Sequence, residues 1–149
     1  MTQFRSMNTL TLYLDQYTNG RRLDKHGLEF VDTSLIGALI DGEDIDKSKY
    51  FESALIYFSE LEASKISSGT YLIFTCACGI AEDGGWEGVV VSIEENIVSW
   101  EMDVGAEILR YSFDRKEYES EIESMRRSLN ASDLPLEPTA VVFPENFHR

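Results

Sequence analysis

Between Ile66 and Leu109 the chain has no Lys or Arg, yet it carries Glu82, Asp83, Glu87, Glu94, Glu95, Glu101, Asp103 and Glu107. The same stretch holds both cysteines, both tryptophans and the densest apolar runs. One segment must therefore supply core strands and present an unbalanced negative face. Like charges without internal counterions repel one another, a cost that a structural role alone does not require. A positively charged partner would turn that repulsion into attraction and faster association.

The rest of the chain bounds this reading. At 149 residues, 43% hydrophobic and 27% charged, it fits a single soluble domain able to bury a core without staples. Thirteen Lys and Arg stand against 27 Asp and Glu, a net charge of −14. Such a surface repels nucleic-acid phosphates and anionic membranes, so neither is an expected partner. Met1 to Met7 lacks an apolar signal core, and no apolar run approaches the length of a membrane span. Cys76 and Cys78, one residue apart, are spaced poorly for a disulfide with each other. These features lead to the expectation of a reduced, cytoplasmic protein.

Patterning predicts an α+β domain: an antiparallel β-meander with two to three helices packed on one face. Its core is expected between about residues 10 and 130, with the Pro-bearing segment 131–149 docked or flexible. Leu10–Leu14 and Leu28–Val31 read as strands. Asp32-Thr33-Ser34 offers caps for a short helix over Leu35–Ile40, ending at Asp41-Gly42, with a polar loop from Glu43 to Lys49. Tyr50 to Lys65 follows helical spacing, although Leu55–Phe58 alone would suit a buried strand. Thr70–Cys76, Trp86–Ile93, Ile97–Met102 and Ile108–Phe113 read as strands, the middle two joined by a hairpin at Glu94-Glu95-Asn96. Asp114 is an N-cap for a helix with a Tyr118, Ile122, Met125 and Leu129 stripe. Its early glutamates, and Arg126 and Arg127 late, suit the helix dipole, and Asn130 is a C-terminal cap. Ala140–Phe143 reads as a final strand or docked tail.

Three readings stay open for Cys76 and Cys78: buried small thiols at a strand end, a zinc site, or a redox pair. The spacing is shorter than zinc ligands usually take, and His26 and His148 are poorly placed to complete a site. The CxxC spacing of redox proteins is missing, and Glu82, Asp83 and Glu87 would raise the thiol pKa values. Gly79, Gly84 and Gly85 suit a turn rather than a phosphate loop, because no Lys-Ser/Thr follows them. Trp100 and Trp86 are each a core residue or an anchor, with Trp86, beside acidic residues at a loop exit, the better interface candidate. No Ser-His-Asp or Cys-His arrangement can be nominated.

The run Phe74-Thr-Cys-Ala-Cys-Gly-Ile-Ala-Glu-Asp-Gly-Gly-Trp86 resembles the signature of a family of small bacterial proteins, a pattern close to F-T-C-x-C-G-x-A-x-C-G-G-W. In that pattern the run joins two strands, and a hairpin then leads to a V-x-W such as Val98-Ser99-Trp100. The similarity runs from roughly Leu10 to Leu129, with the motif as its specific part. Where members often carry a further cysteine, this chain has an acidic residue. Some members of that family stand beside polymorphic toxins and resemble immunity proteins of contact-dependent growth inhibition, and no catalytic activity is established for it. The resemblance implies a non-catalytic antitoxin without a cofactor.

Composition and resemblance together lead to the expectation of one-to-one binding to a basic, nuclease-type toxin domain. The partner-binding residues expected are Glu82, Asp83, Trp86, Glu87, Glu94, Glu95, Glu101 and Asp103. The alternatives are a metal or redox protein using Cys-Ala-Cys, an enzyme acting on small molecules, or a soluble domain whose acidity serves solubility.

Overall fold

The computed structural model describes residues 7–18, 21–25, 28–45, 54–76, 88–105 and 107–136, together with 143, 145 and 147. In chain order the elements are β1 (Leu10–Tyr17), β2 (Leu23–Lys25), β3 (Leu28–Phe30), β4 (Thr33–Ile40), β5 (Glu43–Asp44), β6 (Ala54–Ile56) and α1 (Phe58–Ser64). They continue with β7 (Gly69–Tyr71), β8 (Phe74–Cys76), β9 (Val89–Glu94), β10 (Ile97–Asp103), β11 (Ile108–Asp114) and α2 (Arg115–Ala131). The strands form a three-stranded sheet in the order β1-β4-β5 and a four-stranded sheet in the order β11-β10-β9-β7. Two small pairs, β2-β3 and β6-β8, complete an α+β fold whose ladders are antiparallel.

From β9 to β11 the four-stranded sheet is a meander, and alternation decides its two faces. Val89, Val91, Val98, Trp100, Met102 and Phe113 point into the core and are almost fully buried. Trp100 sits at the centre. Its ring meets Phe74, Phe113 and Tyr118 edge-on at 5.8, 5.0 and 6.1 Å between centroids. The indole N–H donates to the Tyr118 hydroxyl at 3.2 Å, and that hydroxyl lies 2.6 Å from Ser64 Oγ. Ser64 Oγ in turn donates to the Leu61 carbonyl at 2.6 Å. One polar chain thus links the sheet to both helices and satisfies groups that would be costly to bury unpaired. Trp100 is therefore a core residue.

Helix α2 forms as its sequence directs. The Asp114 carboxylate accepts from the Glu117 N–H at 3.0 Å, and Tyr118, Ile122 and Met125 turn inward, with Leu129 partly buried beside them. The helix runs one residue past Asn130, and Ser132 is its C-cap. Arg126 does not serve the helix end. It forks onto Glu62 of α1, with Nε 2.9 Å from Oε2, and stacks over Phe58 at 5.0 Å. On its other side α2 lies along β1, where Glu121 accepts from the Leu12 N–H at 2.6 Å, so a helix side chain engages an edge strand. The chain after α2 docks too: Ser34 N–H donates to the Pro135 carbonyl at 2.8 Å.

Four expectations are corrected. Leu35–Ile40 is not a helix but most of β4, paired with all of β1 from Leu10 opposite Ile40 to Tyr17 opposite Thr33. It is an interior strand buried on both faces, which is why its apolar run lacks alternation. The turn at Asp41-Gly42 stands, with φ of 54° and 84°, the geometry of a two-residue hairpin. It leads into β5, where a loop was expected. Among the described residues of the segment read as a helix from Tyr50, Ala54–Ile56 is a strand and only Phe58–Ser64 is helical. Thr70–Cys76 is two strands rather than one. Between them, Leu72 N–H donates to the buried Glu60 carboxylate at 2.9 Å, and the Ile73 carbonyl accepts from Tyr57 N–H at 2.8 Å. Those bonds take backbone groups that a continuous ladder would use, so the chain changes sheets there.

Candidate partner-binding face

The face of the four-stranded sheet opposite the core carries most of the described acidic candidates. Register sets its rows. Arg110, Glu101, Val90 and Thr70 lie side by side across β11, β10, β9 and β7. The next row is Ser112, Ser99 and Ser92, and the one after it Asp114, Ile97 and Glu94. Beyond the first row stand Ile108 and Asp103. Strand alternation turns these residues outward because their neighbours are needed in the core. Glu94, Glu101 and Asp103 are exposed, as are Val90 and Ile108.

The three serines leave a shallow trough between the taller rows, with Ser99 Oγ and Ser112 Oγ 3.4 Å apart. Glu101 lies 3.5 Å from Arg110 Nε, while Asp103 accepts from the Gly105 N–H at 2.9 Å and shapes the turn to β11. Glu95 is exposed in the two-residue turn between β9 and β10, at the corner of the face. It shares a recess with Arg115 and Lys116, so the cations missing from the segment in sequence approach it in space. Three of the expected residues, Glu94, Glu101 and Asp103, are thus brought to one face of one sheet, with Glu95 at its corner. Glu82, Asp83, Trp86 and Glu87 lie outside the described residues, as do Cys78, His26 and His148.

Sequence reasoning missed a second acidic group, beside Tyr111, which alternates with Arg110 and Ser112 and so turns to the other side of the sheet. Asp41 and Glu43, read only as turn and loop, flank Tyr111 together with Glu107. Burial first, and then those three carboxylates, push the Tyr111 hydroxyl above its ordinary pKa. Asp41 is held below the usual carboxylate range by hydrogen bonds from the Asn8 side chain at 2.6 Å and the Thr9 N–H at 2.8 Å. Asn8 also donates its backbone N–H to the Ser112 carbonyl and accepts from the Ser112 N–H, tying the two sheets together. The signal for this convergence was non-local, and nothing in the spacing of Asp41 and Glu107 announces it.

A second feature is a small cavity of about 50 Å³ between β1, β4, β6 and Phe74, with room for a few waters. The polar groups that line it have partners: the Tyr17 hydroxyl donates to Asp15 at 2.7 Å, Asp15 also meets Arg21 at 3.1 Å, and the Tyr13 hydroxyl donates to Asp44 at 2.6 Å. Among the described residues no group of three or more His, Cys, Asp or Glu is placed to hold a metal ion. Nor is any described helix long and apolar enough to cross a membrane. Compared with known proteins, the chain matches no family model, no curated protein and no solved structure.

Proposed function

We propose that this chain is a non-catalytic binding protein of the immunity type, which holds and neutralises a basic, nuclease-type toxin domain one-to-one. The observation that carries the reading is the outward face of the four-stranded sheet, where Glu94, Glu101 and Asp103 stand exposed beside Val90 and Ile108. Carboxylates on paired strands are held at fixed spacing, so they meet a partner with little ordering cost. Nucleases need positive clefts to hold phosphates, and an acidic face can occupy or flank such a cleft with rapid, salt-sensitive association. The net charge of −14 acts in the same direction at long range. The resemblance of residues 74–86 to a family with immunity-like members points the same way.

Co-expression with the protein of the neighbouring upstream gene tests this. Wild type is expected to restore growth, and a variant with Glu94→Lys, Glu101→Lys and Asp103→Lys to fail while folding normally. A wild type that gives no protection, or a reversed variant that protects fully, would overturn the reading.

A further inference from the structure

Among the described residues, the outward sheet face carries one cation amid its carboxylates, Arg110. Register places it directly opposite Glu101, with Ile108 and Ser112 two positions away on its own strand. It also lines the serine trough together with Glu94, Glu101 and Val90. Arg110 is not held there for stability. Its side chain is 67% exposed, that of Glu101 51%, and the pair is a single contact at 3.5 Å, a geometry that contributes little. A face built only to attract cations would gain by replacing this residue with Ser or Glu.

Resting on the binding role proposed above, we infer that Arg110 makes the face selective. It repels a surface that is uniformly basic and favours a protein surface that sets a carboxylate between its cations. The occupant is thus a basic protein patch with an acidic residue opposite Arg110, cations opposite Glu94 and Glu101, and apolar contact for Val90 or Ile108. Specificity is a difference between affinities, and a like charge at the centre of an otherwise attractive face lowers the affinity of wrong partners more than that of the right one. The Glu101–Arg110 pair opens at small cost, and both groups then have partners of opposite sign.

Hexalysine is the probe, titrated at low salt into wild type, Arg110→Ser, Arg110→Glu and Arg127→Ser, with amide NMR shifts as the readout. Arg127→Ser makes the same charge change on an exposed position of α2, away from the face. Expected are shifts centred on Ser92, Ser99 and Ser112, with binding roughly threefold tighter in Arg110→Ser and roughly tenfold in Arg110→Glu. Arg127→Ser should stay near wild type. A hexapeptide with one central Lys replaced by Glu should lose less affinity for wild type than for Arg110→Ser. If hexalysine binds the face but Arg110→Ser matches wild type or Arg127→Ser, or if the Glu peptide loses equally in both, the selectivity inference falls and the acidic-face reading stands. If shifts lie elsewhere in all four proteins, the acidic-face reading itself falls.

Discussion

Tyr118 joins Trp100 and Ser64 across the middle of the core, and its hydroxyl is the one group that both of the others touch. Burying an aromatic of this size contributes about 1.5–3 kcal/mol of transfer free energy, but the hydroxyl must stay paired. Tyr118→Phe leaves the buried indole N–H of Trp100 without that partner, and a loss of about 1–3 kcal/mol in urea unfolding is expected. Burial also pushes the Tyr118 hydroxyl up to about 12 from 10.0. Its folded pKa is raised, so its contribution is complete below pH 10, where the unfolded chain still holds the proton. It is lost as pH climbs from 10 towards 12, a change of roughly 2–3 kcal/mol. Stability measured across that range should fall less steeply in Tyr118→Phe than in wild type. Equal slopes would mean that another group governs the alkaline limb. The sequence gives Trp100 as an apolar position on a strand and Tyr118 as part of a helical stripe. That their polar atoms meet is a product of packing, and no local pattern carries it.

Strand β4 is the element where local pattern and tertiary structure part most clearly. Leu35-Ile-Gly-Ala-Leu-Ile40 is too short and too uniformly apolar for periodicity to choose between helix and buried strand. The choice is made by β1, which pairs with it along its whole length, and Tyr13 lies across Gly37 where a Cβ would clash with its ring. Gly37→Ala therefore separates the two states by sign. In a helix it would stabilise by about 1 kcal/mol. In this strand it must displace a ring whose hydroxyl is bonded to Asp44, and a loss of about 1–3 kcal/mol is expected. Thermal or urea unfolding reads it directly, and most of the loss should vanish in a Tyr13→Ala background. The same lesson applies at Leu72 and Ile73, where bonds to Glu60 and Tyr57 divide an uninterrupted β pattern. By contrast, the hairpin after β9 and the Asp114 cap depend on adjacent residues and were legible, although the turn is the two residues Glu95-Asn96, with Glu94 in β9 rather than in the link.

For the whole molecule, charge is the property that sequence displays best and distributes least faithfully. The stretch without cations reaches from Ile66 to Leu109, but in space Arg110 faces Glu101, and Arg115 and Lys116 stand near Glu95. What remains is an outward sheet face with exposed Glu94, Glu101 and Asp103. Glu94 and Asp103 lie just beyond the strand ends read from the sequence, at Ile93 and Met102, so their place on one face with Glu101 required the full strands and the β9–β10 register. Arg110 as their neighbour required the β10–β11 register. A docking face of this kind should lose affinity as salt rises, chiefly through slower association.

Titration calorimetry against the protein of the neighbouring upstream gene, at low and high salt, tests the central claim most directly. It should be run with wild type and with the Glu94→Lys, Glu101→Lys, Asp103→Lys variant. The proposed function predicts a tight one-to-one complex that weakens as salt rises and weakens by at least about a hundredfold in the variant. An absence of binding at either salt, or an affinity that three reversed charges leave unchanged, would contradict it.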